Sequence, residues 1–288
     1  MRTIHDVPAP AKLNLFLHIT GRRADGYHLL QSAFMLIDWC DTLHFERRDA
    51  GRVTREDLGA PLPAEDLIVR AARSLQQATG CALGAHIAVQ KRIPAQAGLG
   101  GGSSDAASTL LALNRLWGLG LTGAQLATLG LQLGADVPFF IHGGNAWVEG
   151  VGEQMRPLAL PRARFAVLKP PAGLDTASIF RAPGLKRDTE PATISGFAAN
   201  PFGFGHNDLQ PVAERLCPAV CQGVELLAQR GLKGRMTGSG SAVFAQLADQ
   251  VDSAFDASNW APPGWQVRVC SNLEVHPLGG WASRDKGI

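Results

Sequence analysis

The sequence predicts an α+β protein of two domains, and three observations support this. The chain has 288 residues, a length typical of one large domain or two domains of ordinary size. The first half mixes predicted strands and helices, whereas the second half shows the order β-α-β-β-α-β, the split βαβ or ferredoxin-like pattern. Residues 156–163 (RPLALPRA) carry two prolines and indicate a crossover between the halves. We therefore expect domains at 1–158 and 159–288.

The N-terminal elements follow from the spacing of apolar residues. Residues 12–19 alternate, which predicts a strand with one core face and with Lys12 and Asn14 side by side on the other. Further strands are expected at 33–46 and 85–89, with a helix over 66–79 that Gly80 ends. After a glycine cluster, the pattern predicts helices over about 104–117 and 122–133, a loop over 134–138 and a hairpin over 139–150 around Gly143-Gly144.

The C-terminal elements alternate more regularly. Strands are expected at 164–169, 232–237, 241–247 and 265–271, with a tight turn at 238–240. Helices are expected at about 174–180, 207–230 and 248–257. The segment 183–205 is rich in Pro, Gly, Asn and Phe, which indicates a surface insertion.

Composition narrows the class of protein. Apolar residues make up 45% of the chain and charged residues 18%, which suits a folded core and excludes a disordered chain. The net charge of +2 gives no sign of a nucleic-acid or membrane partner. Five cysteines, an odd number with scattered spacing, favour a reduced protein, and with no apolar targeting segment at the N-terminus we expect a cytoplasmic one.

The strongest local motif is residues 94–105 (PAQAGLGGGSSD), which follows a predicted strand and opens a helix. Four glycines in five positions let the backbone approach a ligand, and a helix N-terminus attracts anions, so the motif favours a phosphate. A flexible glycine turn with a serine N-cap is the alternative. A Walker loop is excluded because the chain has no Gly-Lys pair, and Ser103 replaces the third glycine of a dinucleotide fingerprint.

Two further motifs are weaker when taken alone. In residues 134–140 (GADVPFF), Asp136 between glycine and proline would ordinarily form a turn. In residues 231–244 (GLKGRMTGSGSAVF), the glycines would ordinarily form the turn of a hairpin.

In this order the three motifs resemble those of the GHMP kinases, the superfamily of galactokinase, homoserine, mevalonate and phosphomevalonate kinases. Residues 10–15 (PAKLNL), 26–28 (GYH) and 206–209 (HNDL) narrow the resemblance to the 4-diphosphocytidyl-2-C-methyl-D-erythritol kinases, over essentially the whole chain. It implies a ribosomal-S5-like N-terminal domain and a ferredoxin-like C-terminal domain. It also implies ATP-dependent phosphorylation, with Mg²⁺, of the 2-hydroxyl of that cytidyl substrate in the non-mevalonate route to isoprenoid precursors. A homoserine- or mevalonate-type kinase is the alternative.

The resemblance also implies roles for individual residues. Asp136 would accept the proton of the substrate hydroxyl, and Lys12 would orient that carboxylate or polarise the hydroxyl. The small-molecule substrate would bind to Asn14, Tyr27, His28, Thr176 and Phe180, with aromatic faces for its pyrimidine. The nucleotide would bind to Asp66, Lys91, Pro94, Ala95, Gln96, Ala97, Gly98, Leu99, Gly100, Gly101, Gly102, Ser103, Ser104 and Asp105.

The sequence departs from the family at two positions: Asp66 stands where the family usually has asparagine, and Asp105 stands where asparagine can occur. Both lie near the adenosine end in the family, and an aspartate can accept from the adenine amino group but cannot donate. No acidic residue stands out as a dedicated metal ligand. We expect Mg²⁺ to be held by phosphates, water and Ser103 or Ser104, in a monomer or homodimer.

Overall fold

The computed structural model describes residues 1–248 and 258–283. Its N-terminal elements are β1 Thr3–Arg22, β2 His28–Arg48, β3 Val53–Asp57, α1 Leu67–Thr79, β4 Gly84–Gln90, α2 Gly101–Leu116, α3 Gly123–Leu133, α4 Val137–His142, β5 Ala146–Glu149 and β6 Gln154–Pro157. Its C-terminal elements are β7 Arg164–Lys169, α5 Thr176–Arg181, α6 Ile194–Ala198, α7 Gln210–Leu216, α8 Pro218–Ala228, β8 Arg235–Met236, β9 Val243–Gln246 and β10 Gln266–Ser271.

The N-terminal sheet is built around the long strand β2. Strand β1 pairs antiparallel with β2 along its length, and β4 and β5 share the other edge of β2. Strand β3 runs parallel to β4, and β6 pairs with β5, giving the order β3-β4-β2-β5-β6 with β1 on β2. Helices α1 and α2 pack together on this sheet around a core of small and branched apolar side chains. The strand β3 was not predicted.

Strand β1 is longer than predicted, and the prediction of one core face is wrong. Both faces are buried, and Lys12, on the polar face, is only 4% exposed. The C-terminal domain covers that face: the N–H of Asn14 donates to Thr237 Oγ1 at 2.9 Å, and the N–H of Leu17 donates to the carbonyl of His206. Polar side chains on β1 therefore lie between two domains, where a buried polar group must be paired or used.

The C-terminal sheet confirms the ferredoxin-like prediction. Its order is β10-β7-β9-β8 and every pair is antiparallel, as the split βαβ pattern requires. The single helix expected at 207–230 is two helices that meet at Cys217, because Pro218 begins a new helix more readily than it continues one. The helix expected at 248–257 falls on residues of which 249–257 lie outside the described ranges.

Two interpretations of irregular segments are wrong. Residues 137–142 form α4 instead of a loop and the first strand of a hairpin, because Pro138 stands in the first helical turn, where its missing N–H costs nothing, and Gly143 ends the helix at φ 72°. The segment 183–205 is not a surface insertion alone. Phe197 of α6 is fully buried against Phe16 of β1 and Trp147 of β5.

The two sheets divide the chain near the expected crossover, since the first uses strands up to Pro157 and the second begins at Arg164. The end of the described chain crosses back. Residues 272–283, which we call the return segment, donate backbone hydrogen bonds from Leu273, His276 and Ser283 to carbonyls of the N-terminal domain. The boundary at residue 158 stays a prediction. Within the two described ranges, no helix has the length and hydropathy needed to cross a membrane.

Candidate active site

A cleft of about 1350 Å³ lies where β1, the loop before α2, the start of α4, α5 and the turn at 238–240 meet. Pockets for one drug-sized ligand usually measure about 300–1000 Å³. The cleft is therefore large enough for two ligands side by side. Every predicted site residue except Ser104 lines it.

The loop 94–102, which we call the glycine loop, is fixed from behind by the C-terminal domain. Gly98 and Gly100 have φ of 72° and 71°, the left-handed region that glycine adopts freely. A Cβ on Gly98 would lie 2.1 Å from the carbonyl oxygen of Thr237. The N–H groups of Ser241 and Ala242 donate to carbonyls of the glycine loop. The Thr-Gly-Ser-Gly-Ser motif thus supports the loop as well as lining the cleft.

The open side of the glycine loop suits an anion. Helix α2 begins at Gly101, and Gly101, Gly102 and Ser103 line the cleft at its first turn, where backbone N–H groups have no partner within the helix. Gly102 is exposed, and a Cβ there would make only an ordinary contact of 3.5 Å with Leu67. Gly101 differs, since a Cβ there would lie 2.9 Å from the side chain of Ile93.

Ser104 was predicted to bind the nucleotide, but the structure places it outside the cleft. Its side chain is fully buried, its Oγ has no hydrogen-bond partner, and it does not line the cleft. Because α2 begins three residues earlier than expected, a step of about 100° from Ser103 turns Ser104 inward. Of the two serines, only Ser103 lines the cleft.

Lys91 and Asp105 form a buried ion pair at the cleft wall, and Lys91 also pairs with Asp41. Burial raises the pKa of Asp105, Lys91 opposes that rise, and Asp41 adds to it. Burial works against the charge of Lys91, but the carboxylates of Asp105 and Asp41 raise its pKa on balance. Lys91 is therefore charged and paired with the carboxylates of Asp41 and Asp105.

Asp66 caps helix α1, accepting from the N–H of Val69 at 3.1 Å, and its other contact is Arg55, 2.8 Å away. Its carboxylate lines the cleft while both partners hold it in place. Asp66, which replaces the asparagine usual in the family, thus has a structural role as the N-cap of α1 and the partner of Arg55.

The amine of Lys12 lies 3.6 Å from Asp136 Oδ2. Lys12 Nζ donates to Asn14 Oδ1 and lies 5.0 Å from the centre of the Phe34 ring. Asn14 is fixed in turn by Ser32, whose Oγ accepts from its Nδ2 at 2.9 Å. The carboxylate of Asp136 is about one-third exposed, at 32%, so it pairs with a buried amine and faces the cleft.

A second group of side chains, which we call the base wall, lines another part of the cleft: Tyr27, His28, Phe180 and Arg187. The rings of His28 and Phe180 lie 5.1 Å apart at 37°, while Tyr27 is 66% exposed. Thr176, at the start of α5, shares a hydrogen bond of 2.7 Å with Ser239 of the turn at 238–240. Sequence reasoning missed Arg187, which lies in the irregular segment 183–205 with no motif to mark it.

Comparison with known proteins decides the family. The models of the GHMP kinase N-terminal and C-terminal domains match residues 66–144 and 193–261. A 4-diphosphocytidyl-2-C-methyl-D-erythritol kinase from Albidiferax ferrireducens is 65% identical over 99% of this chain and 98% of its own length. One from Variovorax paradoxus is 63% identical over 98% of this chain and 100% of its own. The chain belongs to the 4-diphosphocytidyl-2-C-methyl-D-erythritol kinases, a branch of the GHMP kinases.

Solved structures agree with this membership. A crystal structure of 4-(cytidine 5'-diphospho)-2C-methyl-D-erythritol kinase matches this kinase with a TM-score of 0.76 at 34% identity, covering 92% of this chain and 98% of that one. A homoserine kinase from Cytophaga hutchinsonii matches with a TM-score of 0.66 at 17% identity, which shows the shared fold alone. The predicted family, the two-domain fold and the class of ATP-dependent small-molecule kinase are confirmed.

Proposed function

We propose that this kinase transfers the γ-phosphoryl group of ATP to the 2-hydroxyl of 4-diphosphocytidyl-2-C-methyl-D-erythritol. The observation that carries the proposal is the arrangement of one cleft. An anion-binding helix start and an aromatic wall suited to a pyrimidine both line it, together with the Lys12–Asp136 pair. A Cβ on Gly100 would lie 3.2 Å from Cγ of Lys12, so the side-chain stem of Lys12 packs beside the glycine loop.

The proposed chemistry is an in-line phosphoryl transfer, in which positioning and charge stabilisation do most of the work. The substrate oxygen forms a bond to the γ-phosphorus while the bond to the β,γ-bridging oxygen breaks, and ADP leaves with that electron pair. Asp136 accepts the hydroxyl proton, and Lys12 holds the carboxylate and stabilises charge on the transferring group. Asn14 keeps Lys12 in place through its hydrogen bond.

The residues present fit a Mg²⁺ ion that arrives with ATP. The part of the chain that the structure describes has no group of three or more His, Cys, Asp or Glu suited to hold a metal. Mg²⁺ prefers to keep waters and phosphate oxygens as ligands, with few protein ligands. Ser103 is the hydroxyl at the helix start available to it, and the ion would neutralise charge on the β- and γ-phosphates.

We also infer a cytoplasmic enzyme, as a monomer or homodimer, that binds neither nucleic acid nor membrane. All five cysteines lie in the described ranges and are free thiols, which fits a reducing compartment. The net charge of +2 is far from the strongly basic character typical of nucleic-acid-binding proteins.

The test is ADP release measured with a panel of alcohols: the cytidyl diphosphate substrate, mevalonate, homoserine and galactose. We expect turnover with the cytidyl substrate and kcat/KM values at least about 10²-fold lower for the other three, which offer no base to stack on the wall. Turnover with mevalonate or homoserine at a comparable kcat/KM would reject the proposal in favour of the alternative GHMP activity.

A further inference from the structure

The ring of His28 is held by one arginine. Arg187 Nε donates to His28 Nε2 at 2.9 Å. Arg187 Nη1 donates to the carbonyl of Leu185, and Nη2 donates to the carbonyls of Phe180 and Ala182, at 3.1–3.3 Å. The guanidinium is therefore tied to the segment that carries Phe180, and its orientation toward His28 is fixed.

This hydrogen bond determines which ring nitrogen carries the proton. A guanidinium has donors and no acceptor, so His28 Nε2 must offer its lone pair. A neutral imidazole has one proton, which is then on Nδ1. No other residue in the described ranges hydrogen-bonds His28 Nδ1, and His28 lines the cleft beside Phe180. The ring thus has one unpaired N–H donor.

We propose that Arg187 is a positioning residue that locks His28 in the Nδ1–H form, and that this donor makes the base wall select cytosine over uracil. The inference rests on the proposed function, because it assumes a pyrimidine at the base wall. A donor facing the pyrimidine N3 suits cytosine, where N3 is an acceptor. It repels uracil, where N3 carries a proton, because two donors then face each other.

The charges around His28 favour the same state. Burial lowers the pKa of His28, and the neighbouring cations Arg187 and Arg22 lower it further. A second proton would have to bind Nε2, the atom that accepts from Arg187. The neutral Nδ1–H form is therefore the one available to the substrate at neutral pH.

Nitrogen-15 NMR of the histidine rings tests the tautomer without any substrate, because a protonated and a bare ring nitrogen differ widely in chemical shift. A His28→Gln variant assigns the signal. We expect the wild type to show a protonated Nδ1 and a bare Nε2, and Arg187→Met to show a mixture of the two tautomers. A protonated Nε2 in the wild type, or an unchanged tautomer in Arg187→Met, would overturn the proposal.

Kinetics test selection. In Arg187→Met we expect the ratio of kcat/KM for the cytidyl substrate to that for its uridyl analogue to fall about tenfold, with KM for ATP unchanged. Arg187→Lys keeps a cationic donor and should retain most of the ratio. Arg181→Met is the matched control, since Arg181 lines the same cleft but contacts Ala177 and Asp175 and leaves His28 alone. It should leave the ratio unchanged.

Equal losses for both substrates in Arg187→Met would show that Arg187 only holds its segment, and would overturn the proposal. The two inferences fail separately. A wild type that phosphorylates neither pyrimidine substrate would reject the proposed function and base selection with it, while the NMR experiment still decides the tautomer.

Discussion

The glycine loop and the base wall bind different parts of the proposed ligands and are built in different ways. The glycine loop is made of backbone, with two glycines at positive φ and with hydrogen bonds from the N–H groups of Ser241 and Ala242, which follow the turn at 238–240. The base wall is made of side chains, of which Tyr27 is 66% exposed and His28 is held by Arg187. The phosphate end therefore depends on the integrity of the fold, whereas the base end can change specificity at little cost to stability.

The largest expected effect is on turnover, from changes to Lys12 and Asp136, which line the same cleft as both regions. Asp136→Asn keeps the shape of the side chain and removes its charge, so kcat should fall by roughly 10²-fold or more, the usual scale of acid–base contributions. Combined with Lys12→Met, the loss should be smaller than the product of the two single losses, because the residues act as a unit. Steady-state kinetics of the three variants measures this, and wild-type turnover in Asp136→Asn would remove that residue from the chemistry.

Substitutions at Gly98 and Gly102 of the glycine loop should have different effects, the first on the free energy of unfolding and the second on ATP binding. Gly98→Ala should lower the free energy of unfolding by on the order of 2–3 kcal/mol, because its Cβ meets backbone 2.1 Å away at a positive φ. Gly102→Val should leave that free energy within about 1 kcal/mol of the wild type, since a Cβ there has room and the residue lies in the first helical turn.

Gly102→Val should instead weaken ATP by about tenfold or more, because its side chain enters the space over the helix start. Urea unfolding and calorimetry with ATP on the same preparations measure both quantities. If Gly98→Ala is as stable as the wild type, or Gly102→Val binds ATP normally, the description of the glycine loop is wrong.

At the base wall, Tyr27→Ala should weaken binding of the cytidyl substrate by about 1–3 kcal/mol, the scale of a lost base–aromatic stack. Binding of ATP and the melting temperature should hardly change, because the side chain is mostly exposed. Calorimetry with each ligand on one preparation provides the measurement. Parallel losses for both ligands, or a clear drop in melting temperature, would place Tyr27 in the fold instead of the base wall.

Acid is expected to act on the fold instead of on either binding region, through two buried histidines. Burial lowers the pKa of His18, on β1, from 6.5 to about 4, and His206 contributes; burial alone lowers the pKa of His276, in the return segment, to about 4. The unfolded chain therefore binds protons first as the pH falls below 6.5, and the folded state loses stability down to about pH 4. Each histidine contributes at most about 1.4 kcal/mol per pH unit.

Urea unfolding at pH 7.5 and at pH 5 measures this loss. His276→Asn, which keeps an acceptor for the N–H that His276 now binds, should reduce the difference between the two pH values. An equal difference in the variant and the wild type would mean that His276 is protonated as easily in the folded chain as in the unfolded one.

Much of the fold was predictable because local signals and the final structure agree. Helix α1 spans Leu67–Thr79, within the predicted 66–79, and stops at Gly80 as predicted, and β7 occupies 164–169 as expected. Helix α4 was missed because Pro138 indicates a break in isolation and a helix start only when the preceding turn is known. The burial of both faces of β1 depends on the second domain, which no short window of sequence contains.

The site divides in the same way. The glycine loop was predictable because only glycine lets the backbone approach a ligand closely, and a cluster of glycines is visible in the sequence. Had the predicted helix begun at Gly101, as α2 does, the helical period would also have placed Ser103 toward the cleft and Ser104 toward the core. Arg187 could not be found, since its role depends on a contact with His28 across 159 positions of sequence, from a segment without periodicity.

The support of the glycine loop by Thr237 and its neighbours also sets an order of events during synthesis. Gly98 and Thr237, which touch in the folded protein, are 139 positions apart in the chain. A nascent chain whose N-terminal sheet is complete still lacks the turn that fixes the loop until most of the ferredoxin-like domain has left the ribosome. Affinity for ATP should therefore be acquired late and abruptly, so a nascent chain has little chance to bind nucleotide before both domains are present.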